Sequence, residues 1–174
     1  MNLLFRLIWT AIISRFRKTV PILGPCQTPF TVLPTDLDVL MHLNNGVYFS
    51  LMDLARVDLM IRTGLWKKLN KGGYYPVIAL ETIQFQRSLE PFQRFHIETT
   101  VLGWDAKAIY LQQRFVRKGK LHATAIVSSR FLQKKKGVVT PDEILHLFDP
   151  TLQSPTLPAW VEEWNKNMRD LREK

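Results

Sequence analysis

The sequence has few of the residues that common metal and disulfide sites require. Of its 174 residues only Cys26 is a cysteine, and the four histidines are scattered along the chain. A single cysteine excludes an intramolecular disulfide and a cysteine-rich metal site, and it fits a reducing compartment. No Cys or His spacing suits zinc, and neither a glycine-rich phosphate loop nor a Gly-x-Ser-x-Gly motif is present. The sequence therefore predicts no metal ion and no resident cofactor.

Acidic residues are also scarce, with 15 against 24 basic residues and a net charge of +9. This charge favours an anionic partner: the phosphates of a cofactor or substrate, an acidic lipid, or a nucleic acid. Nucleic acid is not expected, because the basic residues are dispersed and no nucleic-acid-binding motif accompanies them. A hydrophobic content of 46% predicts one globular domain with a buried core and short extensions.

Long apolar runs are missing as well, and the nearest candidate is the segment of residues 1–18. Arg6 interrupts its apolar residues, and the run is too short for a bilayer core of roughly 30 Å. No small-residue cleavage site follows an uncharged core, so a signal peptide is not expected. The spacing of Arg6, Thr10, Ser14 and Arg17 places them on one stripe, which predicts a basic amphipathic helix.

Two roles for this helix stay open. It could lie in a membrane interface, with Trp9 and Phe16 inserted and its basic residues near anionic headgroups. Alternatively, it could pack on its own domain or on a partner subunit.

Polar residues are concentrated in residues 35–56, TDLDVLMHLNNGVYFSLMDLAR. Asp38 and His42 precede Asn44 and Asn45, after which apolar residues recur at helical spacing. Either asparagine could be the N-cap of a long helix, whose free N–H groups would suit an anion or a developing oxyanion. A carboxylate just upstream could then attack a carbonyl directly or through water. The alternative is structural, since Asp and Asn commonly form turns before helices.

The rest of the chain alternates helical and strand-like patterns. We predict helices at 1–18, 45–63 and 158–174, a helix start at Thr140, strands at 30–33, 77–87, 94–102, 108–117 and 121–133, and connections at 21–29 and 65–75. A long helix followed by consecutive antiparallel strands is an α+β arrangement in which one sheet can wrap the helix. Such a sheet has an open edge, which two copies of the chain could cover by pairing.

The stretch DLDVLMHLNNGVYFSLMDLAR resembles the signature of hotdog-fold acyl-CoA thioesterases of the 4-hydroxybenzoyl-CoA thioesterase type. Their usual form is Asp-x-Asp-x-x-Gly-His-Val-Asn-Asn-x-x-Tyr, followed by an acidic residue, a small residue and Arg. The segments RSLEPF and LGWDAKAIYLQQRFV extend the likeness to about residue 130, toward the branch of thioesterase superfamily member six and its bacterial relatives. The resemblance implies a hotdog domain at 29–150, between an N-terminal helix and linker at 1–28 and a C-terminal helical extension at 151–174.

The resemblance also assigns roles to residues. It implies Asp38 as nucleophile or general base and the backbone N–H of Asn45 as oxyanion donor, with Asp53 as a second acid. His42, Asn44 and Tyr48 would shape the turn and the acyl tunnel. Candidate ligands for the phosphates of coenzyme A are Arg87, Arg117 and Arg130.

The implied activity is hydrolysis of an acyl thioester to the free acid and coenzyme A, in lipid metabolism. The carrier would be coenzyme A or acyl carrier protein, and coenzyme A would enter only as part of the substrate. Relatives of this kind are homodimers or dimers of dimers, which implies a homodimer or homotetramer in the cytoplasm, with peripheral membrane contact through residues 1–18 as an open option. The alternative is a non-catalytic, membrane-associated acyl-binding hotdog protein, which is favoured by Met41 in place of the motif's Gly and by the apolar Leu40.

Overall fold

One antiparallel sheet curls around a long helix in the computed structural model, which describes residues 3–170. The helices are α1 (Leu3–Ser14), α2 (Asn45–Arg62), α3 (Leu65–Gly72), α4 (Pro141–Leu145) and α5 (Ala159–Asp170). The strands are β1 (Cys26–Thr31), β2 (Tyr74–Phe85), β3 (Arg94–Trp104), β4 (Ile109–Arg117), β5 (Lys120–Gln133) and β6 (Gly137–Val139). The predicted α+β architecture is thereby confirmed.

The sheet has the strand order β1-β3-β4-β5-β2, and every pairing is antiparallel. Strand β4 pairs with β5 as far as Ser129, which lies opposite Ile109. The next part of β5 pairs with β6, where Phe131 lies opposite Val139. The sequence did not predict β6, because a three-residue strand is too short to show an alternating pattern. Outside the sheet, α5 packs Val161 against Tyr110.

The long helix α2 begins and ends close to where its sequence predicts. Asn44 is the N-cap, with an extended backbone and a side chain that accepts a hydrogen bond from the Gly46 N–H at 2.8 Å. Asn45 is therefore the first helical residue. At the other end Gly64 has a φ of 79°, which favours glycine and stops the helix. The helix buries Tyr48, Leu51, Met52, Leu54, Ala55 and Leu59.

Two predictions of local structure were wrong. Residues 65–75 do not form a plain connection, because Leu65 and Leu69 are buried one turn apart and so hold the helix α3 against the core. Strand β1 begins at Cys26 rather than at residue 30, within the predicted linker. Pro29 is tolerated in it because β1 is an edge strand, which pairs with β3 alone in the described part of the chain. The division of the chain at residues 28 and 150 stays a prediction.

The helix α1 places its polar stripe against the domain. Thr10 and Ser14 are buried, and Arg6 Nη1 lies 2.8 Å from Asp36 Oδ2. The helix is shorter than the predicted 1–18, of which residues 1 and 2 lie outside the described part, as do residues 171–174 of the predicted final helix. No helix within residues 3–170 has the length and apolar character needed to cross a membrane.

A second buried carboxylate, that of Asp58 on α2, gathers donors from three elements. Ser14 Oγ donates to Asp58 Oδ1 at 2.6 Å, and Thr28 Oγ1 donates to Asp58 Oδ2 at 2.6 Å. The guanidinium groups of Arg17 and Arg62 reach the same Oδ2 at 3.0 and 3.3 Å. Because Asp58 is fully buried, this set of contacts attaches α1 and β1 to α2.

We expect Asp58→Ala to lower the free energy of unfolding by about 3–5 kcal/mol, since it removes the shared acceptor of two hydroxyls and two partly buried guanidinium groups. Denaturant unfolding followed by circular dichroism measures the change. Glu163→Ala is the control, because Glu163 is an exposed helical acid whose removal should cost less than about 0.5 kcal/mol. Equal losses in the two variants would contradict a structural role for Asp58.

Candidate functional site

The loop between β1 and α2 is closed by its own hydrogen bonds. The Asp38 N–H donates to the His42 carbonyl at 2.8 Å, and the Met41 N–H donates to the Asp38 carbonyl at 3.0 Å. Met41 has a φ of 60°, in the left-handed region that glycine adopts most easily. The resembled motif has Gly at this position, so the substitution keeps the backbone shape at some cost in strain.

The carboxylate of Asp38 is held by one oxygen and open at the other. Asp38 Oδ1 accepts the N–H groups of Leu40 at 2.9 Å and His42 at 3.2 Å. Asp38 Oδ2 accepts no hydrogen bond from any residue between 3 and 170. This arrangement orients the side chain and leaves one oxygen available to an incoming group.

The start of α2 supplies a backbone N–H group that has no hydrogen-bond acceptor among the described residues. The Gly46 N–H is bonded to the Asn44 side chain, and the Val47 N–H is bonded to the Asn44 carbonyl at 2.9 Å. Within the described structure no acceptor receives the N–H of Asn45. An N–H at a helix start carries a partial positive charge and can bind an anion.

Asp38 and Asn45 line one cavity of about 370 Å³. Its wall consists of Asp38, Leu40, His42, Leu43, Asn45, Tyr48, Phe85, Gln86, Arg87 and Ser88. Five of the residues predicted from sequence are thus brought together: Asp38, His42, Asn45, Tyr48 and Arg87. Asn44 is not a wall residue, but as the N-cap it fixes the position of the Asn45 N–H.

Two aromatic rings and one guanidinium shape this cavity. The rings of Tyr48 and Phe85 meet edge to face with centroids 4.9 Å apart. Burial raises the pKa of the Tyr48 hydroxyl to about 12, so Tyr48 is neutral at physiological pH and cannot serve as a base. Arg87 is exposed, and its Nη1 donates to the Leu121 carbonyl at 2.7 Å, which holds the guanidinium beside β5.

Three predicted residues lie elsewhere. Asp53 is eight residues beyond Asn45 on α2, a separation of roughly 12 Å along the helix at about 1.5 Å per residue. Its carboxylate forms an ion pair with Arg56 and lines a different cavity. Arg117 ends β4, and Arg130 lies on β5 opposite Val77. Neither of these arginines lines the Asp38 cavity.

The second cavity is apolar and measures about 480 Å³. Helices α1, α2 and α3 and strand β2 contribute to its wall, with Asp53 and Arg56 among its few charged residues. No residue of its wall is shared with the Asp38 cavity. The two spaces therefore lie along different parts of α2.

Sequence reasoning missed a buried polar cluster around Arg56. Arg56 Nη1 donates to Gln113 Oε1 at 2.7 Å, and Arg56 Nη2 lies 2.9 Å from Glu81 Oε1. Burial raises the pKa of the Glu81 carboxyl, and Asp53 acts in the same direction, whereas Arg56 opposes the shift. Gln113 stands at the alternate position between Leu111 and Phe115, and Glu81 stands at the one between Ala79 and Ile83, which was the available signal.

Neither a cysteine nucleophile nor a metal cluster is found among residues 3–170. Burial raises the pKa of the Cys26 thiol to about 11, with Asp58 acting in the same direction, so Cys26 is a poor nucleophile. Across residues 3–170 no group of three or more His, Cys, Asp or Glu side chains could hold a metal ion.

Comparison with known proteins identifies the family. A family model described as the thioesterase-like superfamily matches residues 32–165. Protein THEM6 of Xenopus laevis is 38% identical over 136 residues, which cover 78% of this chain and 64% of that protein. The chain thus spans less than two thirds of the length of this relative.

Solved structures show the same fold. The probable thioesterase YbaW from Escherichia coli superposes with a TM-score of 0.65 at 20% identity, covering 69% of this chain and 93% of that one. BH1999 gentisyl-coenzyme A thioesterase gives 0.63 at 20% identity, covering 70% and 99%. At this identity the likeness shows the fold alone, and it confirms the predicted hotdog fold. With its family model extending over most of the sequence, the chain belongs to the thioesterase-like superfamily.

Proposed function

We propose that the chain hydrolyses an acyl thioester of coenzyme A, at the cavity beside Asp38, to a free acid and coenzyme A. The observation that carries the proposal is that two residues line the same small space: Asp38, which has one carboxylate oxygen without a hydrogen bond, and Asn45, whose N–H has no acceptor within residues 3–170. A thioester carbonyl between them would meet a nucleophile or base on one side and a hydrogen-bond donor on the other. Membership of the thioesterase-like superfamily supports this reaction class.

Two routes fit this geometry. In the first, Asp38 Oδ2 attacks the carbonyl carbon, the Asn45 N–H stabilises the resulting oxyanion, and the thiolate of coenzyme A leaves. Water then hydrolyses the mixed anhydride and restores the carboxylate. In the second, Asp38 takes a proton from a water molecule that attacks the same carbon, and the proton passes to the leaving thiolate. His42 and the neutral Tyr48 would help to position the thioester in either route.

Arg87 is the proposed contact for a coenzyme A phosphate, because it is the one predicted arginine in the wall of the Asp38 cavity. The net charge of +9 would draw the same anionic carrier toward the protein. Contacts of Arg117 and Arg130 with phosphate stay predictions, as do acyl carrier protein as a carrier, a role in lipid metabolism and a cytoplasmic location.

We expect Asp38→Asn to lower kcat by about 10²- to 10⁴-fold, because the amide can neither attack nor accept a proton. Its oxygen can still accept the Leu40 and His42 N–H groups, so the loop should remain folded. Thiol release from a panel of acyl-CoA esters measures the activity, and circular dichroism checks the fold.

Asp53→Asn is the matched control, since Asp53 is the other predicted acid and lies outside the cavity. It should retain turnover within a few-fold. Loss of activity in Asp53→Asn alone would transfer the catalytic role to Asp53. Binding of acyl-CoA by the unmodified protein without thiol release would instead favour the non-catalytic acyl-binding alternative.

The aromatic side chains of the Asp38 cavity bear on the acyl group. The edge-to-face pair of Tyr48 and Phe85 on its wall suits an aromatic acyl group. We therefore expect benzoyl-CoA to be hydrolysed with a higher kcat/KM than palmitoyl-CoA, measured by thiol release below the micelle concentration of the latter. A preference for palmitoyl-CoA would show that the chain extends beyond this cavity.

We also propose that two copies pair through the edge strand β2. None of its twelve residues is buried, although β3, β4 and β5 all bury residues along their length. Tyr75 and Ile78 are exposed on it, and within residues 3–170 the strand pairs on one side only, with β5. An open strand of this length and apolar character is a site for strand pairing.

Tyr75→Lys combined with Ile78→Lys should convert a dimer into a monomer, because lysines on an edge strand oppose pairing. Light scattering coupled to size exclusion measures the mass. Val138→Lys is the control, because it also places a lysine at an exposed apolar strand residue, but on β6. It should leave the dimer intact. A monomeric unmodified protein, or a dimer that survives the double substitution, would contradict pairing through β2.

A further inference from the structure

The helix α1 buries its polar side against the domain and exposes most of its apolar side. Its polar residues Thr10 and Ser14 are buried against the domain, and Arg6 is bonded to Asp36. Most of its apolar residues face outward: Leu4, Phe5, Ile8, Trp9 and Ile12 are exposed, and so is Phe16 just beyond the helix. Leu3 and Leu7 instead line the apolar cavity of about 480 Å³. Surface helices ordinarily bury their apolar side.

The outward apolar face is large and aromatic. Phe5, Trp9 and Phe16 retain 70%, 66% and 83% of their accessible surface. Phe5 and Trp9 also line an open groove of about 630 Å³ between α1 and β1, whose wall includes Phe30 and Arg94. A group of large exposed apolar side chains on one helix marks a contact with a protein or a membrane.

The charges around this face favour a lipid surface. No acidic residue precedes Asp36 in the sequence, while Arg15 and Lys18 are exposed beside Phe16. An anionic bilayer attracts basic residues next to inserted aromatic side chains. A second copy docked symmetrically on this face would present the same surface, in which residues 3–35 supply no acidic partner for Arg15 and Lys18.

We infer that α1 is a peripheral membrane-binding helix that lies flat on an anionic bilayer, with Phe5, Trp9 and Phe16 inserted among the lipids. Its twelve residues span about 18 Å at about 1.5 Å per residue, so it lies along the surface rather than across it. The ion pairs of Arg6 with Asp36 and of Arg17 with Asp58 hold the helix to the domain in this orientation. Binding would therefore need no rearrangement of the fold.

Sedimentation of the full chain with sucrose-loaded vesicles tests this inference. We expect binding to vesicles of equal parts phosphatidylcholine and phosphatidylglycerol, and much weaker binding to phosphatidylcholine alone. Trp9→Ser combined with Phe16→Ser should lower the partition coefficient about tenfold or more. Arg15→Gln and Lys18→Gln should each lower binding to the anionic vesicles about fivefold, and added salt should remove the difference.

Trp160→Ser is the control, because Trp160 is also an exposed tryptophan but lies on α5, whose Val161 packs on Tyr110 rather than on α2. It should bind as the unmodified protein does, and equal unfolding midpoints would show that all variants fold. The inference is overturned if the unmodified chain stays in the supernatant or if the Trp9 and Phe16 variant still sediments with the vesicles. It is also overturned if, in the absence of lipid, the unmodified chain is an oligomer and this variant is a monomer, because the face would then be a contact between copies. No substrate is present, so the result is independent of the proposed hydrolysis.

Discussion

The buried side chain of Asp36 joins the N-terminal helix to the loop that carries Asp38. Asp36 Oδ2 accepts Arg6 Nη1 at 2.8 Å and the Leu33 N–H at 3.0 Å, and its backbone carbonyl accepts the Asn44 N–H at 2.9 Å. The first contact holds α1, and the last fixes the N-cap of α2. Asp36 is the first acid of the resembled motif, and its burial makes it a structural residue rather than a reactive one.

The sequence predicted the elements whose local signals agree with their packing. Helix α2 has a capping asparagine, an apolar period and a terminal glycine, so its bounds were predicted to within one residue. Helix α3 was missed because only Leu65 and Leu69 are buried in it among basic residues, a pattern that composition alone assigns to a loop. The start of β1 was missed because its residues follow a proline- and glycine-containing segment, and only the pairing of Cys26 with Thr99 reveals the strand.

The site shows the same division between local and long-range information. Asp38, His42, Asn45 and Tyr48 lie within eleven residues, so a motif could group them before any fold was known. Asp53 belongs to that motif as well, but the helical rise carries it to another cavity. The contacts of Arg56 with Glu81 and Gln113 depend on which strand positions face α2. That information resides in the sheet register, which the sequence does not display.

The orientation of α1 shows why periodicity alone could not choose between its two predicted roles. A helical stripe of Arg6, Thr10, Ser14 and Arg17 has the same period whether it faces water or protein. The orientation of α1 is decided by the position of the acceptors of this stripe, Asp36 and Asp58, both of which are buried in the domain. Each ion pair must offset the desolvation of its charges, so burying this stripe is not by itself a large gain in stability. The apolar residues that it leaves exposed would gain more from burial, and a bilayer lets the polar side keep its acceptors while the apolar side leaves water.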